Sequence, residues 1–152
     1  MDNITIRVYG LLLSENGELL ISNERIRDKR YNKFPGGGLE YGESTVATLV
    51  REMKEETGID INVIQHFYTT DYFVPSEFHT DPMQVMAIYY FIEAKDEAQY
   101  ERLNLHPNPM EATAKQVFHW KDLEKLSAED VSLPIDKTVV ENILKYVKGP
   151  SK

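Results

Sequence analysis

Apolar and polar residues alternate at the start of Ile4–Leu13 (I-T-I-R-V-Y-G-L-L-L), and the stretch is rich in β-formers, which predicts a strand. Ser14-Glu15-Asn16-Gly17 carries the Asn-Gly hairpin signal, so Glu18–Asn23 is expected to pair back antiparallel. After Ser44 the period becomes helical. Val46, Leu49, Val50 and Met53 fall on one stripe at 100° per residue, with Ser44 as the N-cap, Glu43 favouring the positive helix end and Gly58 as the stop. Asp60–Phe67 alternates as a strand does, and Thr69–Pro82, polar and twice interrupted by proline, reads as a loop. Met83–Ala94 is the most hydrophobic stretch and is expected to be a central strand. Lys95–Glu111, with Pro107 and Pro109, is expected to be a surface connection, followed by a short strand at Gln116–Trp120. Ile135–Lys148 has Val139, Val140, Ile143, Leu144 and Val147 at helical spacing between Pro134 and Gly149, a closing amphipathic helix. Strands, helix, strands, helix predict an α/β fold: a mixed sheet covered on both faces, in one domain over residues 1–152.

Composition narrows the function more than the fold. With 152 residues, 41% hydrophobic and 28% charged, the chain can bury a real core. It has no cysteine, which excludes disulfides, thiolate metal sites and a cysteine nucleophile. The net charge of −8 argues against a nonspecific nucleic-acid or anionic-membrane binder, and no apolar run reaches the length of a membrane span. Met1-Asp2-Asn3 lacks the basic start of a signal peptide, so a cytoplasmic location is expected.

The chemistry is concentrated between Phe34 and Ile59. Gly36, Gly37, Gly38 and Gly42 precede the helix, where bare backbone and free N–H groups favour an anion. Glu52, Glu55 and Glu56, at i, i+3, i+4, project from one helix face and repel one another unless a hard divalent cation joins them. Glycine loop and carboxylate helix together read as a metal-phosphate site. From Gly37 the pattern runs five residues, Glu43, seven residues, Arg51-Glu52-Met53, one residue, Glu55-Glu56, one residue, Gly58-Ile59. This resembles an unbroken Nudix box, the signature of the Nudix hydrolases. Seven fixed residue types and two apolar positions match, a chance event on the order of 10⁻⁹ to 10⁻¹⁰ per start site. The Trp120, Leu123, Leu126 spacing is similar to the strand-to-helix passage late in many Nudix domains.

The resemblance implies an α/β/α sandwich and hydrolysis of a diphosphate linkage in a nucleoside diphosphate joined to another group. It implies Mg²⁺, or Mn²⁺, held by Glu52, Glu55, Glu56 and the Gly37 carbonyl. Arg51 would orient a carboxylate, and Glu43 would support the site from the metal's outer shell or by holding the loop. It makes a homodimer the expected assembly and a small nucleotide-type molecule the expected partner. The general base lies outside what the box specifies; Glu111 is the first candidate, ahead of Glu77, Glu93 and Glu97. Arg25, Arg27, Lys29, Arg30 and Lys33 reverse the local charge before the glycines. Arg25, Arg27 and Arg30 are candidates for substrate phosphates, or else part of a solvated loop or partners for acidic groups on another subunit. Tyr72 is a candidate base-stacking aromatic, with cover of the core or of an interface as the favoured alternative. His66, His79, His106 and His119 form no pair at metal spacing. Three other readings are weighed. One is a Nudix-like domain that binds a nucleotide or nucleotide sugar and regulates without catalysis; such domains commonly lose box glutamates, and here the box is complete. An isopentenyl-diphosphate-type isomerase is disfavoured by the missing cysteine, and an RNA-decapping role by the acidic charge.

Overall fold

The structure, a computed structural model, describes residues 3–148. The elements run β1 (Ile4–Leu12), β2 (Glu18–Ile26), β3 (Lys29–Lys33), β4 (Gly36–Gly38), α1 (Thr45–Thr57), β5 (Ile61–Thr69), β6 (Gln84–Ala94), β7 (Gln116–Asp122) and α2 (Pro134–Lys148). Contacts divide the chain into two compact units. The first joins the described residues through Leu12 to Pro35–Arg102; the second joins Leu13–Phe34 to the chain from Leu103 onward.

In the first unit a four-stranded mixed sheet runs β4-β1-β6-β5. β6 is central, as its hydrophobicity predicts: it pairs parallel with β1 over nine residues and antiparallel with β5. The helix caps also follow the sequence. Ser44 Oγ accepts from Ala47 N–H at 3.0 Å, and Gly58, at φ 77°, donates its N–H to the Lys54 carbonyl at 3.0 Å.

The apolar stripe of α1 is a correction. Leu49 and Met53 are fully buried, but Val46 and Val50 are 41% and 39% exposed. The buried arc instead includes Thr48 and Thr57, with Glu52 and Glu56 half-buried on the same side. The helix is rotated so that carboxylates, not valines, meet the sheet edge. The predicted β1–β2 hairpin is also corrected. The chain does reverse at Ser14–Glu18, where Ser14 N–H donates to the Glu18 carbonyl at 2.8 Å. Beyond a single Leu13–Leu19 bridge, however, β1 takes β4 and β6 as partners and β2 takes β3 and β7. A turn signal sets a reversal; the partners along each strand depend on which edges the rest of the chain offers.

The second unit holds the antiparallel sheet β3-β2-β7 and α2. Glu24–Lys33, for which a solvated loop is one of the sequence's open readings, is a hairpin: β2 continues to Ile26 and β3 begins at Lys29. Arg30 spends Nε on Asn23 Oδ1 at 2.5 Å, Nη1 on the Ala112 carbonyl at 3.1 Å and Nη2 on the Ala114 carbonyl at 2.9 Å. Lys33, at 4% exposure, is buried with Asp136 at 2%, and lies 3.8 Å from Glu24. On α2, Val139, Val140 and Ile143 are buried as expected, while Val147 is exposed. The stop assigned to Gly149 lies outside the described residues.

Two stability predictions follow from these placements. Leu49→Ala should lower the unfolding free energy by about 2–5 kcal/mol in urea titrations, and Val50→Ala by roughly a quarter of that or less. Near the other sheet, His119 on β7 has its Nδ1 buried with no partner among the described residues, and burial pushes its pKa below the ordinary value. The unfolded chain then binds this proton at a higher pH than the folded one. Stability is full above about pH 6.5 and falls as the pH drops below it, by at most about 1.4 kcal/mol per pH unit from this group. His119→Phe should flatten that part of the denaturation profile.

Candidate active site

Strand β4 is an edge strand. It pairs with β1 on one side only, Arg7 opposite Gly38, Val8 opposite Gly37 and Tyr9 opposite Gly36. The flanking bonds, Gly10 N–H to the Pro35 carbonyl and Leu39 N–H to the Ile6 carbonyl, both 2.9 Å, set the alternation. It commits the Gly37 amide and carbonyl to Val8 and turns those of Gly36 and Gly38 to the open edge. There Gly36 N–H donates to Glu56 Oε2 at 2.9 Å and the Gly38 carbonyl accepts from Arg51 Nη2 at 3.1 Å. The register therefore uses the Gly37 carbonyl, expected as a metal ligand, in the ladder, and the outward carbonyl on the Glu56 side belongs to Gly36.

What Gly37 supplies instead is the absence of a side chain. A Cβ at this position would overlap the Glu52 carboxyl carbon and come within 2.5 Å of Oε2. The Glu52 carboxylate rests on a bare Cα, a cradle that any other residue would fill.

Arg51 ties the arrangement together. Its Nε meets Glu43 Oε2 at 2.7 Å and its Nη2 meets Glu43 Oε1 at 3.0 Å, a bidentate pair. Its Nη1 reaches Glu52 Oε1 at 2.9 Å and Glu55 Oε2 at 3.3 Å. The hydrogen bond from Arg51 is the main reason the Glu43 carboxyl titrates at about 2, with Thr48 Oγ1 and the Glu40 N–H also donating to it. In return Glu43, then Glu52, raise the Arg51 pKa above its ordinary value. Glu43 is thus a carboxylate that holds the loop and the arginine fork at once.

Among the described residues no three carboxylate or imidazole groups stand converged as a preformed metal cluster. Arg51 engages Glu52 and Glu55, and Gly36 engages Glu56. The donor set still fits a hard divalent cation: carboxylate and backbone oxygens throughout, on two successive helix turns, one of them seated in the Gly37 cradle.

The remaining sequence candidates are placed less tightly. Arg25 and Arg27 are exposed at the end of the β2–β3 hairpin, while Arg30 is the internal clamp already described. Glu111 ends a short 3₁₀ turn at Pro109–Glu111, with Oε2 accepting from Asn108 Nδ2 at 3.0 Å. Tyr72 is exposed in the loop after β5. Glu93 sits on β6 four residues beyond Tyr89, the residue level with Tyr9 and Gly36, hence about 13 Å along the strand from the glycines.

The family model described as NUDIX domain matches residues 4–142, which takes in every element from β1 to most of α2. The chain belongs to the NUDIX family. The Arabidopsis thaliana protein named Nudix hydrolase 5 is 40% identical over 63 residues, 40% of this chain and 21% of that protein. The Escherichia coli (strain K12) protein named 8-oxo-dGTP diphosphatase is 40% identical over 60 residues, 38% of this chain and 44% of that one. The matched stretches thus span less than half of these curated relatives. The solution structure of the E. coli ORF135 protein superposes with a TM-score of 0.68 at 18% identity, covering 99% of this chain and 96% of that one. MutT from Methanosarcina mazei Go1 gives 0.68 at 21% identity, covering 97% and 98%. These two likenesses show that the α/β fold is the Nudix one.

One residue at the Nudix box was missed in the sequence. Arg7, in the middle of β1, lies against β4: a Cβ on Gly38 would stand 3.3 Å from its Nη1. Burial works to lower its pKa, but Tyr9, Glu52 and Glu56 outweigh it and the net shift is upward. Its only sequence signal is a cation at a polar position of the alternating start of β1, which also fits an exposed edge.

The cradle is testable. Gly37→Ala should displace the Glu52 carboxylate and weaken Mn²⁺ binding, followed by electron paramagnetic resonance, by about 10–100-fold, with little change in the thermal midpoint.

Proposed function

We propose that this chain is a divalent-metal-dependent pyrophosphohydrolase that cleaves a diphosphate linkage in a nucleoside diphosphate joined to another group. The observation that carries this reading is the Glu52 carboxylate seated on the bare Cα of Gly37, beside Glu56 on the Gly36 N–H and Glu55 on Arg51. A purely structural glycine strand has no use for half-buried carboxylates at its open edge, since like charges there repel. The name of one relative supports the substrate class: it is an 8-oxo-dGTP diphosphatase.

In this reading Glu52, Glu55, Glu56 and the outward Gly36 carbonyl hold the metal, with Mg²⁺ as the ion and Mn²⁺ as a substitute. When bound, the cation neutralises phosphate charge and acidifies water. The protein's own residues do the rest. Arg51 keeps Glu52 and Glu55 oriented, and Glu43, ionised down to about pH 2, keeps Arg51 oriented. The attacking water forms a new P–O bond, the bond from phosphorus to the bridging oxygen breaks, and a carboxylate takes the water's proton. Glu111 is the sequence's first candidate for that base. A homodimer in the cytoplasm is the assembly and compartment proposed with this reading, on the family resemblance and the non-basic start of the sequence.

A release assay over nucleoside triphosphates (canonical and oxidised), ADP-ribose and other nucleotide sugars tests the reading. Phosphate, pyrophosphate or nucleoside monophosphate should appear, stop after EDTA and return with Mg²⁺. Glu55→Gln and Glu56→Gln should each cut kcat by orders of magnitude, and Glu111→Gln by about 10²–10⁴. Full activity without metal, or unchanged rates in both box variants, would refute it. Tight binding with no turnover of any of these compounds would assign the chain to the binding regulators instead.

A further inference from the structure

The two arginines at the glycine strand differ in how their donors are used. Arg51 is saturated: Nε, Nη1 and Nη2 all reach carboxylates, and Nη2 also reaches the Gly38 carbonyl. Arg7 is not. Its Nε donates to Tyr9 Oη at 3.1 Å, and among the described residues neither Nη1 nor Nη2 meets an acceptor or pairs with a carboxylate. Half-buried and held at one nitrogen, the guanidinium keeps its outer fork available to an anion.

The fork is also held in place. Tyr9, at 8% exposure, anchors Nε through its hydroxyl, carries the guanidinium carbon 5.8 Å from its ring centre and packs on Tyr89 at 5.2 Å between ring centres. Gly38 opposite it lacks the Cβ that would press on Nη1 at 3.3 Å. Arg7 therefore lies along bare backbone, pinned from one side by a buried aromatic pair. Glu52 and Glu56 are close enough to act on it electrostatically. A cation within electrostatic reach of Glu52 and Glu56, with two parallel donors unspent, matches the geometry of two oxygens on one phosphate.

We propose that Arg7 is a substrate-binding residue whose Nη1 and Nη2 take a phosphate of the diphosphate, with Tyr9 as the positioning residue that aims it. This rests on the diphosphate-hydrolase reading above and adds to it a phosphate contact from β1, outside the Nudix box. It is distinguishable from a role in holding Glu52 and Glu56, because that role would act on the metal and not on the phosphate.

The test uses inorganic pyrophosphate as the probe. Mn²⁺ affinity is measured without pyrophosphate by electron paramagnetic resonance, and pyrophosphate affinity at saturating Mg²⁺ by titration calorimetry. Arg7→Met should weaken pyrophosphate by about 10-fold or more, leave Mn²⁺ affinity within about twofold and raise KM more than it lowers kcat. Arg7→Lys, which keeps the charge but not the fork, should recover only part of the loss, and it carries the test if the Met variant fails to fold. Unchanged pyrophosphate affinity in both variants overturns the proposal, as does a parallel loss of Mn²⁺ affinity, which would make Arg7 a support for the carboxylates. If the unsubstituted protein binds neither Mn²⁺ nor pyrophosphate, the functional reading itself has failed and the Arg7 assignment falls with it. If it binds both and the variants do not differ, only the Arg7 assignment falls.

Discussion

The Arg51 guanidinium joins four groups that would otherwise drift apart: Glu43 before the helix, Glu52 and Glu55 on it, and the Gly38 carbonyl on the edge strand. Without a cation at this point the carboxylates repel one another and the loop between β4 and α1 loses its main anchor. The bidentate geometry to Glu43 matters more than the charge count, because it sets the orientation of the plane that then reaches Glu52. An arginine at this position is a scaffold for carboxylates before it is anything else.

That scaffold explains the rotation of α1. A helix packed only for hydrophobic burial would turn Val46 and Val50 inward with Leu49 and Met53. Here Glu56 is drawn to the Gly36 N–H and Glu52 to Arg51 in the space left by Gly37, so the buried arc shifts toward Thr48 and Thr57 and the two valines remain exposed. The buried threonines are compatible with this position because their hydroxyls find acceptors: Thr48 Oγ1 donates to Glu43, and Thr57 Oγ1 to the Met53 carbonyl at 2.5 Å. Part of the apolar area is left in water so that polar groups can meet at the sheet edge.

Local chemistry was the most legible part of the chain. Ser44 and Gly58 cap α1 as their residue types dictate, because a hydroxyl satisfies a free N–H and only glycine sits easily at φ 77°. The centrality of β6 could be read from its continuous hydrophobicity, since a strand flanked on both sides has little polar edge to show. The basic run from Arg25 to Lys33 was not legible as a hairpin. Its charges suggested solvent, yet Arg30 is fastened to Asn23, Ala112 and Ala114, and Lys33 is buried near Glu24. The two carbonyls that hold Arg30 lie 82 and 84 residues away in the chain and leave no periodic trace near it.

The sequence by itself determined which residue types stand in the glycine strand and on the carboxylate helix, and at what spacing, because those depend on local turn, cap and i, i+4 geometry. It therefore carried the signature of the family. Only the tertiary structure decided which of the groups are spent and which are open. The ladder with β1 uses Gly37 and turns Gly36 outward, α1 rotates its carboxylates rather than its valines to the edge, and Arg7 arrives from β1 with its fork unpaired. Register and edge exposure arise from pairing between segments far apart in the chain, and a side chain's free valence exists only once those pairings are made.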